Sequence, residues 1–61
     1  MIKIGDHIMR EGKLCEVELL LDIDGEETKE SELIYSVIAK IEDGRYLAIL
    51  VDALEQVSSN A

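Results

Sequence analysis

The sequence predicts an all-β fold: five short antiparallel strands, joined by consecutive hairpins into a small, partly open barrel. Three observations carry this expectation. From 15 to 23 every odd position is apolar (Cys15, Val17, Leu19, Leu21, Ile23), while the even positions Glu16, Glu18, Leu20 and Asp22 are mostly charged. From 33 to 41 the odd positions Leu33, Tyr35, Val37, Ala39 and Ile41 are again all apolar. Period two over such lengths describes strands with one face on a core. The third observation is punctuation: acid-glycine pairs stand at 11–12, 24–25 and 43–44, and turns of this kind join hairpins because glycine accepts positive φ. Sixty-one residues make one domain, expected over 1–57, with 58–61 as a frayed tail. Hydrophobic residues are 48%, and Tyr35 and Tyr46 are the only aromatics, so the core is expected to be aliphatic.

The first two strands flank Glu11-Gly12. A two-residue turn there sets Arg10 opposite Lys13 and Ile8 opposite Cys15, with Ile4 opposite Leu19 and Ile2 opposite Leu21. The last three pairs are apolar on both sides, and His7 falls opposite Glu16 on the other face. Gly5 and Asp6 interrupt the pattern and predict a bulge or kink. The third and fourth strands flank Asp43-Gly44. A two-residue turn there pairs Glu42 with Arg45, Ile41 with Tyr46, Ala39 with Ala48 and Val37 with Leu50. That arrangement leaves Ile38, Leu47, Ile49 and Val51 on the outer face, an apolar surface that a partner or neighbouring element would cover. A turn or 3₁₀ segment over 52–54 and a brief fifth strand over 55–58 complete the count.

A helix over 32–43 competes with the third strand. Ile34, Val37, Ile38 and Ile41 also follow helical spacing, with Ser31 as N-cap and Gly44 just past the C-terminus. It would make the fold α+β. The unbroken alternation and the β-branched residues favour the strand. The opening IKIGDHI (2–8) and the closing LVDALEQV (50–57) resemble the two ends of small prokaryotic Src-homology-3-like barrels. There a Gly-Asp precedes an apolar strand residue, and a 3₁₀ turn leads into a terminal strand. The resemblance covers about a quarter of the chain and implies a fold, not a function. The RNA-binding members carry a basic surface and the peptide-binding members an aromatic groove, and this chain departs from both.

Composition narrows the function. Fourteen acids against six bases give a net charge of −8, which repels nucleic acid and anionic membranes. A single cysteine permits neither an internal disulfide nor a thiolate zinc site. The longest apolar run, 46–51, is far short of a membrane span of about 20 residues. With no leader-like segment, the expected location is the cytoplasm. Catalysis is not expected. His7 and Cys15 fall on opposite faces, which leaves His7 a surface partner of Glu16 and Cys15 a core residue. No motif surrounds the serines, and the glycines are isolated turn residues rather than a phosphate loop. The run DIDGEETKESE suggests a calcium loop, but Glu27 stands where the glycine is required and Leu33 where the bidentate glutamate is required. No metal or other cofactor is expected, and the chain reads as a non-enzyme.

Charge distribution is the most informative feature. Residues 16–32 hold eight acids and one base, net −7, and the rest of the chain is net −1. One reading is a solubilising loop that also protects an edge strand. The other is a partner-binding acidic patch of Asp22, Asp24, Glu26, Glu27, Glu30 and Glu32 that docks on a basic protein surface. The expected function is a non-catalytic protein-binding module, an inhibitor or nucleic-acid mimic that occupies the basic nucleic-acid-binding surface of a partner. Small acidic inhibitors of phages and mobile elements are similar in size and charge. The alternative is an accessory subunit or homodimer docking through Ile38, Leu47, Ile49 and Val51.

Overall fold

A computed structural model describes residues 2–54. Four strands, β1 (His7–Arg10), β2 (Lys13–Leu21), β3 (Ser36–Ile41) and β4 (Tyr46–Leu50), form one antiparallel sheet in the order β1-β2-β3-β4. The chain between β2 and β3 contains a 3₁₀ turn, Ser31–Leu33, and β4 runs directly into a helical turn at 51–54. The fold is therefore mostly β, and the four-stranded sheet is open, not the expected five-stranded barrel. The expected fifth strand at 55–58 and the tail at 58–61 lie outside the described residues. A strand, not a helix, occupies 36–41: the alternation of Val37, Ala39 and Ile41 buries all three on one face.

The first hairpin has the expected register. His7 faces Glu16, Ile8 faces Cys15 and Arg10 faces Lys13 across a two-residue turn, in which Glu11 and Gly12 both have positive φ, 52° and 80°. The bulge at Gly5-Asp6 is present. The Gly5 N–H donates to the Val17 carbonyl (2.8 Å), and the Val17 N–H donates to the Asp6 carbonyl (2.9 Å), so two residues oppose one. Beyond it the chain turns away: the Asp6 N–H donates to the Lys3 carbonyl (3.1 Å) and the Asp6 carboxylate accepts from the Lys3 N–H (3.0 Å). Ile4 and Ile2 consequently do not pair with Leu19 and Leu21. Ile4 is exposed, whereas Ile2 packs on the core.

Two one-residue shifts decide which side chains are inside. In β2, Val17 pairs with Ala39 but Leu19 pairs with Ile38, so a bulge at Glu18 inserts one residue. Because side chains alternate, one inserted residue exchanges the faces of everything that follows. Cys15 and Val17 point inward before the bulge, and Leu20 points inward after it. Leu19 and Leu21 thereby move to the outer face, contrary to the unbroken odd-numbered alternation, and Ile23 is 75% exposed.

The second shift lies in the turn between β3 and β4. Its pairs are Ala39–Leu47, Val37–Ile49 and Ser36–Leu50, one residue displaced from a two-residue Asp43-Gly44 turn. The Ile41 N–H donates to the Arg45 carbonyl (2.7 Å), closing a three-residue loop whose third residue, Gly44, has φ of 98°. This is a tight turn followed by a glycine bulge. It places Leu47, Ile49 and Val51 on the core side and turns Tyr46, Ala48 and Leu50 outward.

The core is aliphatic, as composition predicts: Cys15, Val17, Leu20, Val37, Ala39, Ile41, Ile49 and Leu54 are buried. Ile2, Ile8, Ile34, Leu47, Val51 and Ala53 pack around them. The sheet supplies the buried centre. The N-terminal segment, Ile34 and the helical turn cover its inner face. Cys15 is a buried free thiol, the position expected of a small apolar side chain.

Candidate functional site

The acidic segment begins where β2 ends, and backbone hydrogen bonds give it a definite shape. The Asp22 N–H donates to the Glu26 carbonyl (2.8 Å), and the Gly25 N–H donates to the Asp22 carbonyl (3.0 Å). Leu21 forms an isolated antiparallel bridge with Glu27, and the Thr28 N–H donates to the Leu20 carbonyl (2.9 Å). The segment thus folds back along the end of β2. The Tyr35 N–H donates to the Leu21 carbonyl (2.8 Å), which delivers the chain into β3. Asp24-Gly25 occupies the tip of this small hairpin, with Gly25 at φ of 86°.

The six acids of this segment do not have equal roles. The Asp22 Oδ1 accepts from the N–H groups of Asp24 (2.9 Å) and Glu26 (3.0 Å), so this carboxylate organises the turn. Asp24, Glu26, Glu27, Glu30 and Glu32 are exposed, and among the described residues none of the five is within ion-pair distance of a basic side chain. The structure therefore leaves five exposed carboxylates, unpaired among the described residues, along one hydrogen-bonded segment. Among the described residues no group of three or more His, Cys, Asp or Glu side chains is arranged to hold a metal ion.

The four candidates for an apolar surface separate. Ile49 is 2% exposed and belongs to the core, and Leu47 and Val51 pack against it; only Ile38 faces outward. The cause is the three-residue turn, which exchanges the faces of β4. Rows across the sheet give the real outer face: Leu19, Ile38 and Ala48 in one, Leu21, Ser36 and Leu50 in the next. A polar row follows, His7, Glu16, Lys40 and Tyr46, where His7 Nε2 lies 3.9 Å from Glu16 and Lys40 Nζ lies 5.9 Å from the Tyr46 ring centre. The apolar rows adjoin the acidic segment.

At the opposite end of the sheet, the two hairpin turns frame a cleft of about 410 Å³. Ile41 and Leu47 line its wall, Tyr46 stands beside them, and Arg10, Lys13 and Arg45 border it. Asp43 binds two of these cations: its carboxylate lies 2.9 Å from the Arg45 guanidinium and 3.4 Å from Lys13 Nζ, and it also accepts from the Arg45 backbone N–H (3.0 Å). The Arg45 guanidinium hydrogen-bonded to Asp43 holds that carboxyl far below the usual carboxylate range, and the pairing raises Arg45 in turn. Sequence reasoning paired Arg10 with Lys13 but did not connect them with Arg45. The signal was a like-charged cross-strand pair in a chain rich in acids.

No protein-family model matches the chain, and no curated protein or solved structure matches it either. Among the described residues, no helix is long and apolar enough to cross a membrane.

Proposed function

We propose that this chain is a non-catalytic protein-binding module whose 22–32 segment docks on a basic protein surface. One observation carries the reading: Asp24, Glu26, Glu27, Glu30 and Glu32 project from a hydrogen-bonded segment and have no basic partner among the described residues. Opposite charge across an interface raises the association rate and makes it sensitive to salt. A surface evolved for phosphate presents the lysines and arginines such a row requires. The corresponding activity is inhibition, with carboxylates occupying the groove that nucleic acid would fill. The likeness of both chain ends to Src-homology-3-like barrels enters this proposal only as a small scaffold that presents a loop.

The test is a pull-down with the full chain, eluted along a salt gradient, followed by a competition assay. A partner released at moderate salt should bind DNA or RNA by itself and lose that binding as this chain is added. Reversing Glu26, Glu27 and Glu30 to lysine should abolish capture while far-ultraviolet circular dichroism stays unchanged, because all three side chains are exposed. Capture by the triple variant at the wild-type level refutes the acidic-patch reading.

The outer apolar rows favour a second reading, an accessory subunit or homodimer that docks through Leu19, Leu21, Ile38, Ala48 and Leu50. Replacing Ile38 and Leu50 with serine should then lower the molar mass in solution or release a partner that survives high salt. An unchanged mass and unchanged capture would exclude it.

A further inference from the structure

The cleft at the far end of the sheet has a chemistry that the acidic-module reading does not use. β2 runs from Lys13 to Leu21, which separates the cleft from the acidic segment by about 25 Å at the usual strand rise. Three of the six basic residues in the chain border this one cleft. Arg10 and Lys13 are directly opposite each other across the β1–β2 ladder, an arrangement that destabilises a hairpin unless something negative sits between or beside the pair. The chain answers in part. Asp43 satisfies Lys13 and Arg45, while half-buried Arg10 has no carboxylate within 4.0 Å among the described residues.

The residues that line the cleft carry three positive charges, Arg10, Lys13 and Arg45, against one negative, Glu11, and Asp43, outside the lining, pairs with Lys13 and Arg45. With Lys13 and Arg45 both held by Asp43, Arg10 is the cleft cation left uncommitted among the described residues, and one uncommitted cation matches a monoanion better than a doubly charged phosphate. Ile41 and Leu47 supply the apolar part of the wall. A cleft of this volume lies within the range of small-ligand sites. We infer that the cleft between the β1–β2 and β3–β4 turns binds a carboxylate that carries an apolar body. Arg10 would supply its planar donor fork and Lys13 a second donor, with the apolar part lying on Ile41 and Leu47. The carboxylate belongs either to a free organic acid or to the C-terminus of a peptide ending in an apolar residue.

The experiment is a nuclear magnetic resonance titration of the isotope-labelled full chain with three probes of equal length: hexanoate, hexanol and hexylammonium. Hexanoate should give saturable shifts centred on Arg10, Lys13, Ile41 and Leu47, with a dissociation constant on the order of 1–10 mM. The other two should not saturate there. Arg10→Gln should weaken hexanoate binding about tenfold, and Asp43→Asn should tighten it by removing the internal competitor. A peptide ending in Ile-Leu with a free carboxylate distinguishes the two sources. Tighter binding than hexanoate, lost on amidation, assigns the site to a peptide terminus, and weaker binding assigns it to a free acid. Absence of a saturable hexanoate shift at the cleft, or equal binding of hexanol, overturns the inference without any variant. So does unchanged affinity in a folded Arg10→Gln protein.

Discussion

Replacing Ile49 and Leu50 in turn tests the register that decides which face of β4 is inside. These neighbours are both large aliphatics, and a one-residue slip exchanges them. Ile49 is 2% exposed and pairs with fully buried Val37, while Leu50 is 50% exposed and pairs with Ser36 on the outer face. Ile49→Val removes one methylene from a packed site and should cost about 1 kcal/mol, and Ile49→Ala should cost about 2–5 kcal/mol. A domain of this size has a total stability of about 3–9 kcal/mol. The alanine variant is therefore expected near the edge of folding, and the valine variant is the informative one. Its melting temperature should fall by about 4–8 °C. Leu50→Ala removes more atoms, yet leaves no enclosed cavity, and its loss should stay near 0.5 kcal/mol. Thermal and urea unfolding followed by circular dichroism measure both. A larger loss at Leu50 than at Ile49 would mean that Asp43-Gly44 closes a two-residue turn after all, and the assignment of Leu47, Ile49 and Val51 to the core would fall with it.

Two further predictions rest on single carboxylates. Asp43 is held far below its ordinary value near 3.8 by Arg45, so its contribution is fully present above that value and is lost as the pH falls below it. Asp43→Asn should accordingly reduce stability near neutral pH, and the difference from wild type should shrink in urea unfolding series taken below about pH 4; a difference that stays constant down to about pH 2 would refute the pairing. Asp22→Ala should remove two hydrogen bonds from the acidic segment and cost about 1 kcal/mol. Amide exchange at Asp24 and Glu26 should accelerate while that of Val37 and Ala39 changes only with global stability. Equal protection of Asp24 and Glu26 in both proteins would show that Asp22 does not organise the segment.

The division between local and tertiary information follows from how strands are specified. Alternation at 33–41 and the Glu11-Gly12 turn were sufficient for the class of fold, for β3 as a strand and for the first hairpin register, because both signals act between near neighbours. The aliphatic core and the position of the acidic run were likewise legible, since composition and charge order do not depend on packing. The bulge at Glu18 and the three-residue loop before Arg45 were not legible. Each adds one residue to one side of a ladder, and the sequence satisfies either register: Leu19 and Leu20 are both apolar, as are Ile49 and Leu50. Only the simultaneous closure of Val17, Leu20, Val37, Ala39 and Ile49 over one core selects between them. The same tertiary choice sent three of the four expected surface aliphatics inward. Closure of the sheet also brought Arg45, from the turn before β4, beside Arg10 and Lys13 of the first hairpin at one cleft.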